Sequence, residues 1–226
     1  YSVDELEDRL IDLAFAEDIG DGDHTTLCCI PEDAMGKSHL LIKEDGILAG
    51  VEVAKRVFAR FDPTMKVEVL MGDGTPVKKG DIAMVVTGKV RSLLQTERLM
   101  LNIMQRMSGI ATMTNRYVKR LEGTKTHVLD TRKTTPGMRM LEKQAVKIGG
   151  GMNHRIGLFD MILLKDNHVD FAGGIKNAIT RCHEYLKEKN LDLKIELEVR
   201  NFDELNQALE QGGINRIMLD NFSVED

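Results

Sequence analysis

DTRKTTPGMR (Asp130–Arg139), GGGMNHR (Gly149–Arg155) and LLKDNH (Leu163–His168) gather cations and small residues of an otherwise acidic chain into three short segments. The outer two follow apolar runs, His127-Val128-Leu129 and Met161-Ile162-Leu163-Leu164, that have strand length and composition. Arg132, Lys133 and Lys165 are therefore expected at the carboxyl ends of two strands. In parallel α/β barrels, chemistry is carried at that end. Guanidinium forks and ammonium groups in a partly dry cleft bind carboxylate or phosphate through charge-assisted, poorly screened contacts. The ligand this predicts is a small polyanion.

Outward from these segments the chain repeats a strand, loop and helix grammar. It reads HVLD (His127–Asp130), helix Met138 to Ile148, MILLKD (Met161–Asp166) and helix Ile175 to Lys189. KIELEV (Lys194–Val199), helix Phe202 to Glu210 and RIMLDN (Arg216–Asn221) follow. Strands alternating with helices predict a parallel sheet, which right-handed crossovers tend to close into a barrel. Each strand ends in charged or polar residues, among them Glu198 and Asp220. Glu196 shares the face of Glu198 by period-two alternation but lies deeper, so Glu198 is the preferred candidate. Two carboxylates opposite a ring of cations suit ribose hydroxyls or Mg²⁺, with mere neutralisation of Arg132 and Lys165 as the competing reading.

The first half of the chain reads differently. Ser2 with Glu5 three positions on forms a capping box for an opening amphipathic helix. HLLIKEDGILAG (His39–Gly50) predicts a hairpin turning at Asp45-Gly46, and Val51 to Phe61 returns to helical spacing. Val67 to Val90 alternates between Gly-rich turns as short antiparallel strands. Ser92 to Leu121 is a long helix, with Ser108-Gly109 as its one candidate break, expected to join two domains.

With 226 residues the chain can hold two modest domains. A net charge of −5 with the basic groups held locally argues for a pocket and against nucleic-acid or membrane-surface binding. Cys28, Cys29 and Cys182 have no CxxC spacing, which favours a reducing cytoplasm over a disulfide framework or a zinc site. No apolar run approaches the roughly 20 residues of a membrane span. The acidic start YSVDELEDRL does not have the form of a signal peptide.

Several candidates have a plain structural reading as well. The Thr134-Thr135-Pro136-Gly137 turn could hold an anion at a helix N-terminus. Gly149-Gly150-Gly151 allows the backbone to approach a ligand closely, and Arg155 in the same turn favours an anion. His154 taken alone is more often a hydrogen-bonded structural residue. His168 reads as structural too, and Arg98 as a solvated helix residue.

EDIGDGDHTT (Glu17–Thr26), ERLMLNIMQRMSGIAT (Glu97–Thr112), DTRKTTPGMR, GGGMNHRIGLFDMILLKDNH and RIMLDNF together resemble the quinolinate phosphoribosyltransferases, almost from end to end. The resemblance implies an α/β fold: an N-terminal α/β sandwich domain with the bridging helix over residues 1–106, and an open parallel α/β barrel over residues 107–226. It implies a homodimer, with assembly to hexamers left open, in which Arg98 reaches the neighbouring subunit's site. Arg132, His154, Arg155 and Lys165 match positions around the quinolinate carboxylates. Lys133, Glu198 and Asp220 match those facing phosphoribosyl pyrophosphate, with Mg²⁺ at Glu198 and Asp220. Thr131 completes the substrate-binding set, and Lys133, Glu198 and Asp220 form the catalytic set. Gly-rich strand-end loops for the ribose 5-phosphate are expected beyond Asp226. The rival readings are a ModD-like homologue associated with molybdenum transport and a non-catalytic dicarboxylate- or nucleotide-binding module.

Overall fold

In a computed structural model, which describes residues 1–226, the chain divides into two compact units, Tyr1–His154 and Arg155–Asp226. The class is α/β, as expected: an antiparallel sheet with helices in the first unit and a parallel βα repeat in the second.

The first unit opens with α1 (Val3–Ile19). Ser2 Oγ accepts from the Glu5 amide at 3.1 Å while Glu5 Oε2 accepts from the Ser2 amide at 2.6 Å, so the capping box forms as read. After α2 (His24–Cys29), strands β1 (Met35–Leu41), β3 (Lys66–Val69) and β5 (Ile82–Lys89) make an antiparallel sheet in the order β1-β5-β3. The central place of β5 follows from its sequence, because Ala83 to Val86 is buried throughout.

The predicted hairpin at Asp45-Gly46 does not form. β1 pairs with β5, whereas β2 (Gly46–Ile47) pairs with β4 (Pro76–Val77). Gly46 serves close approach to a helix instead. A Cβ there would lie 2.6 Å from Thr112 Oγ1, and the Ile47 amide donates to that oxygen at 2.9 Å. Asp45 Oδ1 accepts from the Lys79 amide at 2.9 Å, joining the loop to a different turn.

Helix α3 (Val51–Phe61) lays Val53, Ala54, Val57 and Phe58 into the core, and its outer face is laced to α1 by Arg56 and Arg60. Helix α4 (Val90–Arg120) runs unbroken for 31 residues. Ser108-Gly109 is no break: Ser108 Oγ accepts from the Ala49 amide at 2.9 Å and donates to the Ala49 carbonyl at 3.1 Å. Met100, Ile103, Met104, Met107 and Ala111 form its buried stripe at helical spacing.

Helix α5 (Arg139–Ile148) packs on α4 and starts one residue later than read. HVLD shrinks from a strand to one parallel bridge, Leu129 with Met152. Met152 sits in a segment read only as a Gly-rich loop. Side-chain bonds at Asp130 take over where the ladder stops.

The second unit holds the βα repeat. β6 (Ile162–Leu164), β7 (Ile195–Val199) and β8 (Arg216–Leu219) form a parallel sheet in that order. α6 (Asp166–Ala172), α7 (Ile175–Lys189) and α8 (Phe202–Gln211) connect them. Leu164, Ile195, Leu197 and Val199 are buried in one cluster with Ile175, Ala178, Ile179 and Ala208 of the helices. Each of the buried Leu, Ile and Val side chains contributes about 1.5–3 kcal/mol through burial, enough to set which face of the sheet the helices cover.

Candidate functional site

In the first unit the cation-bearing loop Asp130–Gly137 is held by residues that the sequence reading passed over. Lys143, in the middle of α5, donates from Nζ to Asp130 Oδ1 at 2.5 Å. Asn153 Nδ2 donates to Asp130 Oδ2 at 2.5 Å and the His154 amide to Oδ1 at 2.8 Å. One turn earlier on α5, Arg139 donates to Thr134 Oγ1 at 3.0 Å and to the Arg132 carbonyl at 3.3 Å. Glu142 accepts from the Thr135 amide at 3.1 Å and from Arg106 Nη2 of α4 at 2.7 Å. Burial of Glu142 pushes its pKa up, but the bonds from Arg106 and Thr135 outweigh it and leave the carboxyl below its ordinary value.

Thr131 Oγ1 accepts from the Lys133 amide at 3.0 Å, a local turn that sets the backbone of the loop. Lys133 is exposed and Arg132 half-buried, and neither is engaged by an acid among the described residues. Two cations left unneutralised on a tied loop can take an anionic ligand. His154 is half-buried, and its backbone is pinned by Asp130 and by Lys143 Nζ, which reaches the His154 carbonyl at 3.3 Å. Arg98 is exposed on α4, with Glu97 beside it and Asn102 one turn on.

The Gly-rich turn needs correction. A Cβ on Gly149 would lie 2.4 Å from the Ala111 carbonyl oxygen of α4, and one on Gly151 2.8 Å from Val146 and 2.9 Å from Thr114. Gly150 has φ +97°. These glycines let the chain lie against α4 rather than against a ligand.

In the second unit the register decides which candidates share a face. Leu163 pairs with Glu196 and Leu164 with Leu197, so Lys165, still extended at φ −107° and ψ 173°, stands level with Glu198. Glu198 pairs with Met218, and Asp220 lies two residues further on β8's line, its amide donating to the Val199 carbonyl at 2.9 Å. Paired residues in a parallel sheet point to the same side, and residues two apart return to it. Lys165, Glu198 and Asp220 therefore rise from one face at the carboxyl ends of three adjacent strands, opposite the face packed by α7 and α8. This face carries the chemistry-bearing residues, because its other face is filled with aliphatic side chains. No ion pair joins Lys165 to Glu198 or Asp220 among the described residues.

His168 acts as the end cap of α6: its Nδ1 accepts from the Lys165 amide at 3.0 Å. The structural reading of His168 holds. Arg155 is buried at 8% exposure, and the next two amides, Ile156 and Gly157, donate to Asp160 at 2.8 and 2.9 Å. No group of three or more His, Cys, Asp or Glu side chains is gathered as a metal cage. Glu198 and Asp220, on one face at neighbouring strand ends, are of a type that suits Mg²⁺, since this ion keeps several waters and is commonly bound by one or two carboxylates plus substrate phosphates.

The fold defines an α/β protein that carries Lys165, Glu198 and Asp220 on one face at its strand ends. Comparison with known proteins is then specific. Residues 23–108 match the N-terminal domain and residues 110–226 the C-terminal domain of quinolinate phosphoribosyl transferase, and the chain belongs to that family. It is 47% identical over 221 residues to the chloroplastic nicotinate-nucleotide pyrophosphorylase [carboxylating] of Arabidopsis thaliana, covering 95% of this chain and 63% of that protein. Quinolinate phosphoribosyltransferase [decarboxylating] 1b of Nicotiana tabacum is 45% identical, with the same coverage of 95% and 63%. The chain thus spans 63% of the length of these plant relatives. Among solved structures, NadC from Streptococcus pyogenes superposes with a TM-score of 0.91 at 39% identity, covering 100% of this chain and 78% of that one. The nicotinate-nucleotide pyrophosphorylase from Francisella tularensis gives 0.91 at 41% identity, with the same coverage of 100% and 78%.

Proposed function

We propose that the protein transfers the phosphoribosyl group of phosphoribosyl pyrophosphate to quinolinate with decarboxylation, giving nicotinate mononucleotide, pyrophosphate and CO₂ for NAD biosynthesis. The observation that carries this reading is the shared face of Lys165, Glu198 and Asp220 at the carboxyl ends of adjacent strands. It puts a cation beside two carboxylates, which a two-substrate reaction of anions needs and a simple anion sensor does not.

Arg98, Arg132, His154, Arg155 and Lys165 bind the quinolinate carboxylates in this reading, and Thr131 belongs to the wider substrate-binding set. Holding a dianion against a second polyanion turns a repelled encounter into a positioned one. Quinolinate binds first, and its ring nitrogen attacks ribose C1 as the bond to pyrophosphate breaks and that group leaves with the electron pair. Glu198 and Asp220 orient the ribose and stabilise positive character at C1 in an oxocarbenium-like transition state, and Lys133 offsets charge on the departing pyrophosphate. The carboxylate next to the ring nitrogen then departs as CO₂, its electron pair staying on the ring carbon, which takes up a proton. Mg²⁺, held by Glu198 and Asp220, would supply further charge compensation on the phosphates.

The active unit in this reading is a homodimer, with the sequence domain boundary at residues 106/107. Arg98 supports the dimer because it is exposed on α4 and free to reach a second copy. A reducing compartment such as the cytoplasm suits the three free cysteines, although the plant relatives are named as chloroplastic and mitochondrial. No helix is long and apolar enough to cross a membrane.

The test supplies quinolinate, phosphoribosyl pyrophosphate and Mg²⁺ to the full-length protein. Release of CO₂ with formation of nicotinate mononucleotide is the expected result. Ligand binding without pyrophosphate release would mark a binding module and overturn the proposal.

A further inference from the structure

Asp130 and Lys143 form the most deeply buried ion pair of the first unit, with side chains 7% and 4% exposed. Removing two charges from water is costly, and replacing such a pair by apolar residues of similar size is often neutral or stabilising, so stability alone does not account for it. What distinguishes this pair is what it ties together. Asp130 ends the short parallel bridge segment and lies two residues before Arg132. Its carboxylate takes three donors, Lys143 Nζ at 2.5 Å, Asn153 Nδ2 at 2.5 Å and the His154 amide at 2.8 Å. Lys143 answers with a bond to the His154 carbonyl at 3.3 Å, and Asn153 Nδ2 with one to the Lys143 carbonyl at 2.8 Å. Both backbone polar groups of His154 are thereby held by one ion pair.

We propose that Asp130, Lys143 and Asn153 are positioning residues: together they fix the Arg132–Lys133 loop and His154 at one spacing, and so set the affinity for an aromatic dicarboxylate. The proposal rests on the functional reading above for the identity of the ligand, but not for the network itself. The two segments meet through a single bridge, which leaves their relative placement loosely set by backbone hydrogen bonds alone. A buried carboxylate accepting from both segments and from α5 supplies the missing constraint. Pre-organised contacts of this kind matter because a displacement of about 1 Å at a positioned group can cost about a hundredfold in rate, and a looser loop also meets the ligand's carboxylates less well.

The experiment compares wild-type full-length protein with Asp130→Asn/Lys143→Met, which removes both buried charges together, and with Asn153→Ala, which leaves the ion pair intact. Melting temperature, the quinolinate dissociation constant without the second substrate, and hydrogen exchange at the His154 amide are measured. The double variant is expected to melt close to wild type while binding quinolinate about ten- to a hundredfold more weakly, with faster exchange at His154. Asn153→Ala should shift affinity and exchange the same way by less. A folded variant that binds quinolinate as tightly as wild type overturns the proposal. So does unprotected exchange of the His154 amide in the wild-type protein, which needs no variant to fold. Wild type that protects this amide yet does not bind quinolinate would count against the function and leave the network standing.

Discussion

Arg106 Nη2 on α4 donates to Glu142 Oε1 on α5 at 2.7 Å, and the same nitrogen reaches Thr135 Oγ1 at 3.1 Å. One guanidinium thus joins the long core helix, the next helix and the cation-bearing loop. The Glu142 carboxyl is almost wholly buried whereas Arg106 is about half exposed, so solvent screens the pair from one side only.

This pair predicts a pH dependence. The folded-state pKa of Glu142 lies below its ordinary value of 4.5, so the stabilisation is fully present above about pH 4.5 and is lost as pH falls through the lower folded value. Arg106→Ala should remove about 1 kcal/mol at neutral pH, a modest figure because the arginine is half exposed. Urea unfolding at a series of pH values checks it: wild type should lose stability more steeply than the variant on acidification below pH 4.5. Parallel curves would refute the assignment.

Arg132 carries a prediction about turnover. Arg132→Ala should lower kcat/KM by about 2–4 kcal/mol of transition-state stabilisation, or roughly 30- to 1,000-fold. Because the loop is tied through the Arg132 carbonyl rather than its side chain, the melting temperature should barely move. Steady-state kinetics alongside thermal unfolding decide this, and unchanged kcat/KM would remove Arg132 from the site.

Arg98 separates a partner's contribution from a local one. Arg98→Ala and Lys133→Ala should each be nearly inactive as pure proteins. If Arg98 completes the neighbouring subunit's site, mixed dimers of the two variants contain one site with both residues intact, and about a quarter of wild-type activity should return on mixing. Activity that stays at the level of the pure variants would show that Arg98 does not act across the dimer.

Gly149→Ala tests the revised reading of the Gly-rich turn. Its Cβ would meet the Ala111 carbonyl oxygen at 2.4 Å and Thr114 Cβ at 2.9 Å, backbone and packed side chain that cannot swing away. A loss of about 1–3 kcal/mol is expected from overpacking, measured by denaturant unfolding. A ligand-approach role would instead leave stability intact and weaken binding.

Much of the second unit was legible from local pattern. Apolar runs of strand length, capped by polar residues, gave β6, β7 and β8, and period-two alternation placed Glu198 above Glu196 on one face. The Asp45-Gly46 hairpin failed because a dipeptide suited to a turn was used for close packing on α4. HVLD failed as a strand because a few side-chain bonds at Asp130 replace the ladder. Arg106, Arg139, Glu142, Lys143 and Asn153 were passed over, since a helix pattern gives no sign of which charged positions turn inward.

By itself the sequence determined the α/β class, the strands whose ends carry Lys165, Glu198 and Asp220, and the family, because these depend on residue type and spacing over short windows of chain. Only the tertiary structure decided what holds the candidate residues in place. Ile47 finds Thr112 across 65 positions and Arg106 finds Glu142 across 36. Such contacts are chosen by which buried polar groups must find a partner once the helices have packed, and no local periodicity records that choice.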